Sequence, residues 1–469
     1  MRPDAPSSTP APLVVPATVA PPKPLRILVI AYFFPPDATG VRRLLAHLNT
    51  WLQEGAEVEV VTCRAKRGAG YDSSPLNLYP WLKELPVHAT ESLDPYRLLE
   101  RLRPTPQSAT QPTPQSATQP TAGSTTKSTG LGPQVMELLR RTVFVPDDRR
   151  GWVSPALRKA LELHRARPFH AVYTSNYPQS THLVGYYLKR QTGLRWVADF
   201  RDGWTQNPVF HRPATSWLRH ATALWEARVV QTADHVVTVS PPITRHLQTL
   251  RAPGQSPVRT IFNGYDPADF PPALSQEYRA PIHPGKLTLL YTGTLFGGRS
   301  AAPFFQLVGE LIRRYPQWKE KLRLQFHTAL SPGDTEAARH AELPGEMLQV
   351  LASVPFTECC RLQQRAEALL LILERGPGSE IMVSQKVFEY LAAARPIYAL
   401  IPRGAAEELL SATGGACVEN NSTPTPEAVH RLHLFLQSVD SGGFPPASQS
   451  ALLPFQRQTQ AREFLALMQ

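Results

Sequence analysis

Residues 382–397 read MVSQKVFEYLAAARPI, a helix-forming stretch that carries Lys386 and, three places on, Glu389. Side chains three apart on a helix share one face. With the helix starting near Val383, Lys386 lies in the first turn, where an ammonium and unpaired backbone N–H groups together attract an anion. A carboxylate one turn deeper can accept two hydrogen bonds from a vicinal diol. An anion and a diol a few ångströms apart are what a nucleoside diphosphate and its ribose present. The bland alternative is an exposed ion pair worth roughly 0.2–0.5 kcal/mol.

Three further stretches place charge or glycine where an apolar run ends. VADFRDGW puts Asp199, Arg201 and Asp202 just after a strand-like run. Charges there are costly unless paired or used, so pairing of Arg201 with Asp199 or Asp202 is the structural alternative to a role in binding. His182, on the preceding helical stretch, reads first as a satisfied surface histidine and only second as a site residue. YTGTLFGGRS runs a strand into a glycine-rich loop: Gly293, Gly297 and Gly298 permit close backbone approach, and Arg299 adds a forked phosphate donor near the next helix's start. AYFFPPDATGVRR carries Gly40 just before a helix, without the G-x-G-x-x-G of a dinucleotide fold.

The elements that must position these residues follow from periodicity. Apolar runs at 25–33 and 56–63 flank a helical pattern at 41–55, a βαβ unit that implies a parallel sheet. Strand-like and helix-like stretches then alternate to residue 247, and a second series begins near 286. At 469 residues, two doubly wound domains are the natural division, with ligands beyond the carboxyl ends of the strands. Residues 1–24 read as a disordered Pro-rich tail, and PTPQSATQ, repeated at 104–111 and 112–119, begins a low-complexity insertion over 104–130.

Forty-nine Lys and Arg against 38 Asp and Glu give a formal charge of +11, which favours anionic partners. Basic blocks interleaved with aromatics are absent, so nucleic acid is not expected. Four cysteines without a C-x-x-C pair suit a reducing compartment and argue against a zinc site. No apolar run reaches 18 residues, and prolines break up the N-terminal stretch, so neither a spanning helix nor a signal peptide is expected.

Together these stretches resemble retaining glycosyltransferases of the GT-B fold, of the kind grouped as glycosyltransferase family 4 (glycosyltransferase group 1). The resemblance covers about residues 25–465 outside the insertion. It rests on YFFPPDATGVRR, VADFRDGW, ADHVVTVSPPITRHL, IFNGYDPADF, YTGTLFGGRS, KVFEYLAAARPI and the terminal FQRQTQAREFLALM. It implies an α/β architecture of two Rossmann-like doubly wound domains facing across a cleft. The first, acceptor-side domain would span 25–275 and the nucleotide-sugar-binding domain 276–450, with a helix in 451–469 crossing back.

The implied reaction moves a sugar from a nucleotide-diphosphate donor to an acceptor hydroxyl with retention, without metal or other cofactor. Lys386 and Arg299, with Gly40, Gly297 and Gly298 alongside, would hold the diphosphate, and Glu389 the ribose. Arg201 and Asp202, standing where the family shows a His-Asp pair, would contact the reacting sugar or acceptor, with Lys386 as the third catalytic candidate. Asp199 and His182 are secondary candidates. The family's paired glutamates are separated by seven residues, and Ile381 occupies the first position here, with Glu380 one place off and a candidate to serve instead. The implied partners are a nucleotide sugar and a glycan or lipid-linked acceptor, at the cytoplasmic face of a membrane, in cell-surface polysaccharide or glycolipid synthesis. The alternatives are a catalytically silent GT-B subunit of a polysaccharide-assembly complex and a sugar-nucleotide epimerase.

Overall fold

The computed structural model describes residues 24–36, 40–65, 79–93, 145–207, 215–270, 280–295, 298–420 and 423–469. The tail to residue 23 and the 104–130 insertion lie outside them.

Two parallel sheets carry the fold. In the first, β1 (Arg26–Ile30), β2 (Glu57–Cys63), β3 (Val87–Thr90), β4 (Ala171–Ser175), β5 (Arg195–Phe200), β6 (His235–Thr238) and β7 (Arg259–Thr260) lie in the order 3-2-1-4-5-6-7. In the second, β8 (Leu287–Thr292), β9 (Leu322–His327), β10 (Leu348–Leu351), β11 (Ala368–Ile372), β12 (Ile397–Leu400) and β13 (Ala416–Glu419) lie in the order 10-9-8-11-12-13. The central strands are continuous apolar runs because helices cover both faces: every residue of β1, β8 and β11 is buried. Helices α1 (Arg42–Gln53), α2 (Val153–Ala166), α3 (Ser180–Thr192), α4 (Ser216–Thr232) and α5 (Pro241–Thr249) serve the first sheet. α6 (Ala302–Arg314), α7 (Pro332–His340), α8 (Phe356–Arg365), α9 (Gln385–Ala392), α10 (Ala405–Thr413) and α11 (Pro426–Asp440) serve the second.

Each sheet reverses its strand order once, between β1 and β4 and between β8 and β11. Connections leave in opposite directions at such a point and open a crevice beyond the strand ends. Two sequence-predicted strands stop short there. The first run ends at Ile30, so Ala31, Tyr32 and Phe33 form the crevice wall rather than sheet; the second ends at Thr292, before Gly293.

The last helix, α12 (Arg457–Met468), lies against α1 of the first domain. Ala461, Phe464, Leu467 and Met468 join the core behind β1 and β4, and Trp51 Nε1 donates to the Ala461 carbonyl at 2.8 Å. The domains also meet directly. Ser240 Oγ donates to the Ile381 carbonyl at 2.7 Å, and Gln385 Nε2 to that of Gly264 at 2.6 Å. The Arg42 guanidinium lies 3.8 Å over the Phe356 ring. No helix among the described residues is long and apolar enough to cross a membrane.

Candidate functional site

The crevice of the first sheet is a small pocket walled by Tyr32, Phe33, Gly40, Asn176, Tyr177 and Arg201, among others. The rings of Phe33 and Tyr177 are stacked at 6.4 Å and 28°. Arg201 Nη1 donates to the Gly40 carbonyl, which ties the loop before α1 to the loop after β5. Arg201 Nε stands 3.8 Å from Asp202 Oδ2. Asn176 brackets the Asp202 backbone, accepting from its N–H at 3.1 Å and donating to its carbonyl at 3.0 Å. Burial raises the Asp202 carboxyl above its ordinary pKa against the pull of Arg201. Gly40, Arg201 and Asp202 are thus brought together at one rim.

Asp199 and His182 lie deeper. Asp199 is buried within β5 and pairs with Arg43, which lies 156 residues earlier: Nη1 donates to Oδ2 at 2.5 Å. Tyr173 Oη donates to the same oxygen at 2.5 Å and Ser175 Oγ at 3.0 Å. Arg201 therefore pairs with Asp202 and not with Asp199. His182 is not a surface residue as its sequence context suggested. It is fully buried, its ring 4.5 Å from that of Phe200 and its Nδ1 2.8 Å from Thr174 Oγ. Burial pushes its pKa down to about 3, so the ring is neutral at ordinary pH.

The crevice of the second sheet holds the opening pair. Ser384 caps α9, its side chain accepting from the Lys386 N–H, which sets Lys386 in the first turn and Glu389 one turn deeper. Lys386 Nζ donates to Tyr291 Oη at 3.0 Å and stands 4.1 Å from the centroid of that ring. Among the described residues it has no carboxylate within 4 Å. Burial, and then the like charge of Arg299, bring its pKa down to about 7. Burial also raises the Glu389 carboxyl, opposed by Arg457, Lys386 and Arg42. Gly293, at φ +106°, lies close under the lysine: a Cβ there would stand 2.7 Å from Lys386 Nζ, so the ammonium would have to move. Gly298, at the far side of the loop, would meet Glu374 Cγ at 3.2 Å. Gly297 lies outside the described residues.

The turn around the expected first glutamate takes a different course. Ser379–Ile381 form one 3-10 turn in which Glu380 is exposed and Ile381 buried. The Ile381 side chain packs into the first domain's core cluster, with Cδ1 within 3.5 Å of where a Cβ on Gly203 would stand. An apolar residue thus does interdomain packing where a carboxylate was sought.

Arg43 and Tyr291 escaped sequence reasoning, although both lie inside quoted stretches. The signal for Arg43 was a second arginine, in VRR, on the buried side of an amphipathic helix; for Tyr291 it was an aromatic two places before the loop's first glycine.

Comparison with known proteins bears on the fold and on one stretch of the sequence. The model of Glycosyltransferase Family 4 matches residues 122–269. No curated protein sequence matches the chain. The N-terminal domain of Candida albicans trehalose-6-phosphate phosphatase superposes with a TM-score of 0.61 at 14% identity, over 94% of this chain and 96% of that one. A glycosyltransferase from Rickettsia africae gives 0.57 at 11% identity, over 95% and 98%. Anabaena HepE in complex with UDP gives 0.55 at 11%, over 94% and 98%. At such identities these likenesses speak for the fold. The chain is a GT-B-fold protein whose residues 122–269 carry the sequence pattern of glycosyltransferase family 4.

Proposed function

We propose that the protein transfers a sugar from a nucleotide-diphosphate donor to an acceptor hydroxyl, with retention and without a metal, in the synthesis of a cell-surface polysaccharide or glycolipid at the cytoplasmic face of a membrane. The observation that carries this reading is the ammonium of Lys386. It is half-buried, lacks a carboxylate partner among the described residues, and feels the like charge of Arg299 at the switch point of the second sheet. Two cations that raise each other's energy are relieved by an anion bound between them. The leaving diphosphate gathers negative charge as the glycosidic bond breaks, and fixed cations with the α9 N–H groups stabilise it there. Glu389, one turn deeper, accepts from the ribose hydroxyls. Arg201 and Asp202, at the first sheet's crevice, contact the sugar or acceptor. That HepE was solved with UDP on the same fold supports a nucleotide sugar as the donor.

The test is incubation with UDP-, GDP- and dTDP-sugars, with and without candidate glycan or lipid-linked acceptors, in the presence of EDTA. The expected result is acceptor-dependent release of nucleoside diphosphate, with the anomeric configuration kept in the product. Lys386→Ala and Glu389→Ala are expected to cut turnover sharply while the fold persists. Epimerised nucleotide sugar without an acceptor, or near-normal turnover in either variant, contradicts the proposal.

A further inference from the structure

We infer that Tyr291 is a positioning residue for the diphosphate site: it holds the Lys386 ammonium in place and couples it to the glycine-rich loop. The inference rests on the proposed donor reading of that site. Tyr291, the next-to-last residue of β8, is fully buried, and its hydroxyl carries a single proton. That proton goes to the Thr294 carbonyl at 3.2 Å, within the loop. The oxygen's lone pairs are therefore left to Lys386 Nζ, which donates to it at 3.0 Å. The same ammonium stands 4.1 Å from the ring centroid, in range of the attraction between a cation and an aromatic face. One side chain thus supplies both a lone pair and a ring face to a cation that has no carboxylate neighbour within 4 Å among the described residues. An ion pair would hold the lysine more strongly, but it would also neutralise the charge that the ligand needs. A neutral phenol fixes the position and leaves the charge available. The link to Thr294 means that movement of the loop, as when a phosphate settles on it, is felt at the lysine.

The groups facing Lys386 are Arg299 from the loop after β8, Cys359 from α8, Glu389 from its own helix, and Tyr291. Among these, a hydrogen bond accepted by Tyr291 favours the charged ammonium. Its removal lowers the lysine's pKa further, so that less of the cation is present at neutral pH.

The test is a calorimetric titration of the full chain with UDP, GDP and ADP between pH 6 and 9, with Tyr291→Phe, Lys386→Met and the double variant. In the unsubstituted protein, affinity for the preferred diphosphate falls as pH rises through about 7, where Lys386 loses its proton. Tyr291→Phe keeps the ring and removes the hydroxyl. It is expected to weaken binding by roughly tenfold at pH 8 and to move the alkaline limb about one unit to lower pH. In the Lys386→Met background the same change is expected to add nothing, because the group through which Tyr291 acts is gone. An unchanged alkaline limb in Tyr291→Phe, or an equal loss in both backgrounds, overturns the role of Tyr291 while leaving the donor site standing. Failure of the unsubstituted protein to bind any of the three, or dTDP in the same titration, sinks the donor reading and this inference together.

Discussion

Gly293→Ala is the smallest change that tests the arrangement around Lys386. An added Cβ would lie 2.7 Å from Nζ and 3.0 Å from Cε, where ordinary contact begins at 3.4 Å. The ammonium would have to retreat by about 0.7 Å, away from its hydrogen bond to Tyr291. A displacement approaching 1 Å at a reacting centre costs up to about 100-fold in rate. Separately, an alanine at φ +106° carries backbone strain of about 1–3 kcal/mol. We therefore expect a stability loss in that range, together with a 10- to 100-fold loss in nucleoside diphosphate affinity and kcat/KM. Urea unfolding and calorimetric titration separate the two effects. Gly193→Ala is the control. That glycine ends α3 at φ +71°, with no atom within 4 Å of an added Cβ, so about 1–2 kcal/mol of stability should go and affinity should stay. Unchanged affinity in Gly293→Ala, or an equal loss in Gly193→Ala, would refute the geometry proposed for the lysine.

Asp199→Ala strands the Arg43 guanidinium in a site where the pair is 5% and 0% exposed, and should cost about 3–5 kcal/mol in urea unfolding; a loss below 1 kcal/mol would contradict the buried pairing. His182, with a folded pKa of about 3 against an ordinary 6.5, binds a proton more readily when unfolded. Its contribution is present above pH 6.5 and is lost as pH falls toward 3. Asp147, raised to about 6 by burial, acts in the opposite sense over the same range. His182→Leu should therefore make stability less sensitive to acid between pH 6.5 and 4, and an unaltered profile would count against a neutral buried ring.

Most of the frame was legible from local pattern. Apolar runs of five or six residues marked β1, β8 and β11, and the stretch around Lys386 formed its helix, though from Gln385 with Ser384 as cap rather than from near Val383. The site-bearing loops were legible for the same reason, since glycines and charges stood out at the ends of apolar runs. What escaped depends on contacts far apart in sequence. Asp199 looked like a partner for Arg201, two residues away, but its partner is Arg43, from another helix. His182 lies on a helix whose buried face takes in Ser180, Thr181 and His182, so polarity concealed its burial. Ile381 looked like a gap in a motif and is an interdomain contact, which no single-domain pattern encodes. Strands β3, β7 and β10 were missed because β7 has two residues and the other two lie partly exposed at sheet edges. The 104–130 repeat and Gly297 lie outside the described residues, so their readings stand as sequence expectations.

The proposed diphosphate site for a nucleotide sugar is built on Lys386 and its neighbours. Thermal unfolding of the unsubstituted protein and of Lys386→Met against UDP, GDP, ADP and dTDP tests it most directly. At least one nucleoside diphosphate, at 100 times its Kd, is expected to stabilise the unsubstituted protein by about 2.7 kcal/mol, and the variant to lose most of this shift. No shift with any of the four, or an equal shift in the folded variant, would contradict it.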